Sequence, residues 1–311
     1  MNGQPLKVTI VGYGRVGGAL AQALQFAGAK VVNIGEHPDS PNVTRAVDDG
    51  FKVFPVEHID LDVDLLVLAV PDNEIEKTAS LLAESESSLE GKRIGGLERE
   101  NHGSGSRTAM HLSGRLGLEP LNPLRSKGFS RLAWHPIQTF PPGAEGTRFH
   151  GITAGVTADP EALTVAEAIS DLLSVRMMTV PEDRRVDYHL AAVLASNFLP
   201  LLLDMGADRL RGIAQDRGEA LRALWPLVAG MVESLGNLPP EAAMSGPVVR
   251  NDLQAVMAHL DVLPEDQRPL YASLTRALVE IAHQSGTLNA DQAMAWKQQL
   301  GQVNGTRGDI K

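Results

Sequence analysis

The sequence predicts an α/β chain: a mostly parallel sheet carrying helices, followed by an all-α C-terminal domain. Three observations carry the prediction. Apolar runs alternate with helical patterns from Leu6 to about Val180, the order that builds parallel sheets from strand–helix–strand units. Leu65–Val70 is apolar without alternation, which suits a strand buried on both faces. From Glu182 onward the apolar spacing turns helical, over 183–212, 216–236, 250–260, 265–285 and 289–303. The 311 residues then divide into two domains, 1–181 and 182–311.

The first strand, Leu6 to Val11, runs into Gly12-Tyr13-Gly14-Arg15-Val16-Gly17, a G-x-G-x-x-G turn, and a helix opens on the last glycine. Gly12 permits the tight turn, Gly14 a close backbone approach to a pyrophosphate, and Gly17 close packing of helix on strand. Free amides and the positive end of the helix dipole then face the phosphates. The helix closes at Ala27-Gly28, where glycine suits a C-cap. Lys30–Gly35 supplies the second strand of this Rossmann-type unit, and Glu36 ends it.

A helix over Val43–Asp49 and a short strand over Phe51–Phe54 come next. The strand Leu65–Val70 breaks at Pro71-Asp72, where Asp72 is expected to cap a helix over Glu74–Ala83. Residues 84–106 read as a polar loop or insertion. Further strands are expected over Thr108–Gly114, Arg131–Trp134, Phe149–Val156 and Arg176–Val180, with a helix over Pro160–Leu173. In the C-terminal half, Asn289-x-x-Gln292 reads as a capping box.

Composition narrows the function classes. The chain has no cysteine, which excludes disulfides, thiolate metal sites and cysteine nucleophiles and fits a cytoplasmic protein. A formal charge of −10 and no lysine-rich run argue against a nucleic-acid partner, which gains affinity through cations. The N-terminus carries no signal-peptide pattern. The apolar run Leu190–Leu203, broken by Ser196, Asn197 and Pro200, is expected to be too short to span a membrane. No H-x-x-H or H-E-x-x-H spacing suggests a metal, and no G-x-S-x-G elbow is present.

Several segments together resemble a known family. They are Gly12–Gly17, Ala69-Val70-Pro71-Asp72, His111-Leu112-Ser113-Gly114 and His135-Pro136-Ile137-Gln138-Thr139-Phe140. In the C-terminal half they are Tyr188-His189, Ser196-Asn197, and Ser245–Asp252 leading to His259-Leu260. The chain resembles, over residues 6–280, the Rossmann-like proteins whose helical half is a domain of unknown function (DUF2520), related to the β-hydroxyacid and prephenate dehydrogenases. The resemblance implies an NAD(P)-dependent oxidoreductase that dimerises through its helical domain. It supplies no substrate. Two departures stand out. The family's Arg-Gly-Asp is Arg250-Asn251-Asp252 here, and asparagine tolerates the left-handed backbone that glycine would adopt. β-Hydroxyacid dehydrogenases carry a lysine one turn before the asparagine matching Asn197, where this chain has Val193, so that lysine mechanism does not transfer.

Hydride transfer belongs to a nicotinamide, and the protein must supply positioning and a proton-exchanging group. His135, fixed by Pro136 just past a strand end, is the first candidate, with Ser113 orienting the substrate by analogy with prephenate dehydrogenases. The competing reading makes His135 a structural turn histidine and Ser113 a hydroxyl closing its own turn. His189, Val193 and Asn197 share a helical stripe, with Asn197 facing the interior beside a kink caused by Pro200. That stripe faces the cofactor, or else it holds a satisfied core asparagine. Arg250 is read either as a grip for a substrate carboxylate or as an ordinary ion-pair partner. The cofactor set is Gly12, Tyr13, Gly14, Arg15, Val16, Gly17, Glu36, Val70, Pro71 and Ser113.

Either NAD or NADP fits the glycine loop. Glu36 favours NAD modestly, because a carboxylate binds ribose hydroxyls and repels a 2′-phosphate. That repulsion is about 4 kcal/mol at about 4 Å and an effective dielectric of about 20. Arg45 on the following helix works the other way. The expected function is an oxidoreductase acting on a small, anionic hydroxy or keto substrate in a cleft between the domains. A cofactor-sensing protein without catalysis is the alternative.

Overall fold

The computed structural model describes residues 4–85 and 107–301. The polar stretch expected over 84–106 lies outside them from residue 86 on, as does His102. The strands are β1 Lys7–Val11, β2 Lys30–Gly35, β3 Val53–Phe54, β4 Leu65–Leu68, β5 Arg107–His111, β6 Phe129–Pro136, β7 Thr153–Ala158 and β8 Arg176–Thr179. They form one sheet in the order β3-β2-β1-β4-β5-β6-β7-β8. Neighbouring strands pair in parallel except β6 and β7, which are antiparallel. The carboxyl ends of β1, β4, β5 and β6 therefore share one edge with the start of β7, which positions the site described below.

The helices of this half are α1 Arg15–Phe26, α2 Asn42–Asp48, α3 Asp72–Glu84, α4 Leu163–Leu172 and α5 Arg185–Ser196. A 3-10 segment over Glu119–Lys127 joins β5 to β6, and a shorter one over Glu182–Arg184 leads into α5. The sheet is covered on both faces. One apolar cluster gathers Val8, Ile10, Leu20, Leu24, Leu132, Trp134, Phe149 and Ile169, and another gathers Val11, Leu66, Leu68, Ile75, Leu82 and Leu124. β4 contributes to both, which is why it carries no polar alternation. Trp134 is buried with its indole N–H satisfied, donating to Ser170 Oγ at 3.0 Å.

Contacts divide the chain into two compact units, Met1–Pro200 and Leu201–Lys311. The sequence reading put the division at 181/182; here α5 belongs with the sheet. The second unit holds most of α6 Leu199–Arg209, then α7 Arg217–Asn237, α8 Pro240–Ala243, α9 Leu253–Val262, α10 Arg268–Gln284 and α11 Ala290–Gly301. Its core gathers Val256, Leu260, Val279, Leu288, Trp296 and Leu300. Asn289 and Gln292 form the expected capping box, each side chain accepting from the other's backbone N–H at 2.9 Å. Asn251 adopts φ 53°, the left-handed conformation that glycine would take in the resembling family. Its side chain is used as well: Oδ1 accepts from Trp296 Nε1–H at 2.9 Å. Asp252 caps α9 by accepting from Ala255 N–H at 3.1 Å.

Two sequence expectations change. β6 extends through His135 and Pro136, so His135 sits inside a strand, paired with Gly155, rather than past its end. Asp72 is the first residue of α3, makes no capping bond, and pairs with Arg115 at 3.3 Å instead. The apolar run Leu190–Leu203 lies within a longer helical segment, Glu182–Arg209, which holds an 18-residue window of mean hydropathy 1.6 and passes by length and composition alone as long enough to cross a membrane. Its start is tied to the sheet edge through polar side chains, and it breaks at Asn197-Phe198. Pro200 has no N–H to give the carbonyl of Ser196, so α5 stops there.

Candidate active site

The glycine loop lies between β1 and α1. Gly12 has φ +96°, and a Cβ there would stand 2.5 Å from the carbonyl oxygen of Ala69. A Cβ on Gly17 would stand 2.0 Å from the Gly12 carbonyl oxygen. Both glycines are demanded by the protein's own packing. Gly14 differs: nothing lies within 4 Å of where its Cβ would be. No packing requires glycine there, and the open face is where a phosphate would approach. No side chain caps the amides at the start of α1. An uncapped helix start beside an open glycine fits a dinucleotide pyrophosphate.

The flanking residues narrow what the loop offers. Tyr13 is fully buried, and its hydroxyl donates to Asp49 Oδ2 at 2.7 Å. Burial raises its pKa above the ordinary tyrosine range, helped by Asp49. Glu36 is buried at the end of β2, where Oε1 accepts from Tyr13 N–H at 2.5 Å and from Asn42 Nδ2 at 3.4 Å. The guanidinium of Arg45 donates to the carbonyls of Tyr13 and Gly14 and lies 5.1 Å from the Tyr13 ring centre. Arg15 is exposed and Val16 half-buried on the first turn. Val70 packs toward Gly12, and Pro71 is exposed before α3. The Arg115–Asp72 pair links the loop after β5 to the start of α3.

Farther along, α5 lays a polar face on β6, β7 and the loop after β5. Glu182, just before it, accepts from Leu118 N–H at 2.7 Å. Arg185, 1% exposed, donates to the Ser113 carbonyl at 2.6 Å and to Thr157 Oγ1 at 3.0 Å. Tyr188 reaches His135 and Gly155. A Cβ on Gly155 would stand 2.3 Å from Tyr188 Cζ, so glycine makes the slot that this ring enters. A Cβ on Gly114 would stand 2.8 Å from His189 Cδ2 and 3.1 Å from His135 Nε2. The backbone at Gly114 thus lies against both imidazoles, whose ring centres are 6.2 Å apart.

His111, fully buried at the end of β5, holds this loop from below. Its Nδ1 accepts from Ser113 N–H at 3.2 Å and its Nε2–H donates to the Gly117 carbonyl at 2.8 Å. Burial pushes its pKa down to about 4. His135 is also lowered to about 4, by burial first and then by the positive charge of Arg185 and the neighbouring His189. Both imidazoles are neutral at pH 7. A neutral imidazole can accept a proton, whereas an imidazolium cannot.

The expected site residues fare differently. His135, Ser113 and His189 come together. Ser113 Oγ, however, accepts from the N–H groups of Arg115 at 3.3 Å and Leu116 at 3.1 Å, so it closes its own turn. Asn197 is exposed at the end of α5, not interior as its stripe suggested, and accepts from Ser196 Oγ at 2.8 Å. Arg250 is exposed in the second unit. Sequence reasoning assigned no role to Arg185, Tyr188, Gly155 or Glu182. Glu182, Arg185 and Tyr188 were signalled by polar residues at the head of an otherwise apolar helix, Tyr188 also by the family resemblance, and Gly155 by nothing. Among the described residues no group of His, Asp and Glu is placed to hold a metal.

Family models match both halves: a Rossmann-like domain over residues 1–136 and DUF2520, a domain of unknown function, over 152–278. The chain is a Rossmann-like protein with a DUF2520 C-terminal domain. It is similar to a provisionally named NADP oxidoreductase from Bacteroides fragilis, at 21% identity and TM-score 0.70, covering 88% of this chain and 98% of that one. Protein TM1727 from Thermotoga maritima follows at 21% identity and TM-score 0.61, over 89% and 99%. NADP-bound pyrroline carboxylate reductase from Plasmodium falciparum gives 12% identity and TM-score 0.54, over 96% and 98%. At these identities the likeness establishes the shared fold.

Proposed function

We propose that the chain is an NAD(P)-dependent oxidoreductase that moves hydride to or from a small, anionic hydroxy or keto compound. The observation that carries this reading is the open face over Gly14 at the uncapped start of α1, on the same sheet edge as a neutral, half-buried His135. Gly14, Arg15, Val16 and Gly17 hold the pyrophosphate, and Glu36 and Arg45 border the loop. When bound, the nicotinamide supplies the hydride chemistry. His135 exchanges the proton of the substrate oxygen, while Arg185, His189 and Gly114 shape its surroundings. Arg185 has no carboxylate hydrogen-bonded to it among the described residues, with Glu182 and Asp72 acting on it only from a distance, and its charge favours an anionic substrate.

Titration with NADH and NADPH, followed by nicotinamide fluorescence, tests the reading; binding of neither form refutes it. Glu36 is the reason to propose a modest preference for NAD, and clearly tighter NADPH binding counts against that preference. A screen of hydroxy and keto acids read at the nicotinamide absorbance separates an enzyme from a sensor, which binds without turnover.

The partner proposed is a second copy of the chain. α5 turns its polar face to the sheet and leaves Val186, Leu190 and Leu194, spaced one turn apart, 63%, 50% and 61% exposed. In the second unit Trp225, Leu227 and Val232 on α7 are also exposed. Apolar stripes of this kind mark interaction surfaces. A monomeric mass in light scattering at micromolar concentration overturns this part.

A further inference from the structure

We infer that Tyr188 is a positioning residue that fixes the tautomer of His135, leaving Nε2 as the proton-accepting atom. This rests on the reading of His135 as the proton-exchanging group, and it names the atom and the device behind it.

The geometry is one of counting hydrogens. The Tyr188 oxygen has three neighbours within hydrogen-bond distance: Gly155 N at 3.0 Å, the His135 carbonyl oxygen at 3.0 Å and His135 Nδ1 at 2.9 Å. A phenol carries one hydrogen and accepts through its lone pairs. Gly155 N–H can only donate, and the His135 carbonyl can only accept. The arrangement that satisfies every contact sends the tyrosine hydrogen to that carbonyl. Nδ1 must then carry hydrogen and donate to the phenol oxygen. In a neutral imidazole, hydrogen on Nδ1 leaves Nε2 with its lone pair. Nε2 is the atom that lies 3.1 Å from where a Cβ on Gly114 would stand.

The surroundings maintain this state. Burial raises the Tyr188 pKa, so the phenol keeps its hydrogen. The groups acting on His135 are Arg185 and His189 from α5, His111 from β5 and Asp72 from α3. The Arg185 cation disfavours a second positive charge. Its carbon Cζ lies 5.8 Å from the Tyr188 ring centre, which steadies the ring in its slot. Proton transfer balances simply. The substrate O–H bond breaks, the proton joins Nε2, and the positive charge is shared through Nδ1–H with the Tyr188 oxygen. In the reverse direction Nε2–H returns the proton.

The test uses the full-length chain without cofactor, 15N-labelled at histidine, and reads both ring nitrogens by NMR at pH 7. The expected wild-type spectrum shows His135 with a protonated Nδ1 and an unprotonated Nε2. Tyr188→Phe keeps the ring in the Gly155 slot and removes the oxygen; His135 should then shift toward the Nε2–H form. Gly155→Ala, whose Cβ drives the ring out with its hydroxyl intact, should shift it likewise. If an activity is found, Tyr188→Phe should lower kcat about tenfold with little change in KM, a fraction of the usual acid–base contribution. A wild-type His135 protonated at Nε2, or a tautomer unmoved by Tyr188→Phe, overturns the inference. Because the spectrum needs no bound coenzyme, that outcome is distinct from failure to bind NADH or NADPH.

Discussion

Acid should loosen the sheet unit through His111, and the size of the effect can be worked out. Nδ1 of this buried ring already receives the Ser113 N–H, and Nε2–H is spent on the Gly117 carbonyl. A second ring proton would have to point at the Ser113 N–H, donor against donor, inside the protein. The folded pKa is accordingly lowered to about 4 from 6.5. The sign follows from linkage. Between these values the unfolded chain binds the proton and the folded chain does not, so stability is complete above 6.5 and falls as pH drops toward 4. At pH 5 the loss from this one residue is about 2 kcal/mol relative to pH 7.5, set against a typical total stability of about 5–15 kcal/mol. His111→Gln is the matched control, since the amide offers an acceptor and a donor but does not titrate. Urea unfolding of both proteins at pH 7.5 and pH 5, followed by far-UV circular dichroism and tryptophan fluorescence, isolates the term. The wild type should lose about 2 kcal/mol more than the variant on acidification. Equal losses in the two proteins would refute the assignment of His111 as an obligatorily neutral strut.

Gly14→Val should leave the urea midpoint nearly unchanged, because open space surrounds the new side chain, yet abolish NADH and NADPH binding; retained binding removes the loop from the cofactor site. His135→Ala should cost about a hundredfold or more in turnover on whatever substrate is found, the usual scale for an acid–base group. Asn251→Gly relieves the left-handed backbone but orphans the Trp296 indole N–H, so a net loss of about 1 kcal/mol is expected in thermal or urea unfolding. A stabilised Asn251→Gly protein would show that the hydrogen bond is dispensable.

Much of the sheet half is legible in the sequence, for a local reason. Gly12, Gly14 and Gly17 follow one another on a single turn, β4 is a continuous apolar run, and in the second unit Asn289 and Gln292 cap each other three residues apart, so spacing alone reveals them. The β6–β7 pairing was not readable: whether two strands run antiparallel depends on their connection, and the Phe149–His150 segment, expected as strand, is 3-10 helix and turn. His135 was found but misplaced, because Pro136 suggested a strand end when it occupies the last position of β6. Asn197 was assigned to the interior on the rule that apolar neighbours on a helix mark the buried face. In α5 that rule runs in reverse.

The reversal in α5 explains why the site's supporting residues escaped the sequence. An amphipathic helix is ordinarily read by its apolar stripe, and α5 has one in Val186, Leu190 and Leu194; but that stripe faces outward. The inward face carries Arg185, Tyr188 and His189, each meeting a group presented by a different strand end or the loop after β5: the Ser113 carbonyl, the His135–Gly155 pair and the Gly114 backbone. A cation with no bonded carboxylate, a phenol hydroxyl inserted at a strand pair and an imidazole against a backbone all take polar groups out of water. The desolvation cost is met by hydrogen bonds fully at Tyr188 and only in part at Arg185. Arg185 Nε is buried without a partner, which shows that the balance is incomplete. A helix face tolerates such a cost where geometry matters more than stability, and here that geometry holds one neutral imidazole with its Nε2 directed at the Gly114 turn.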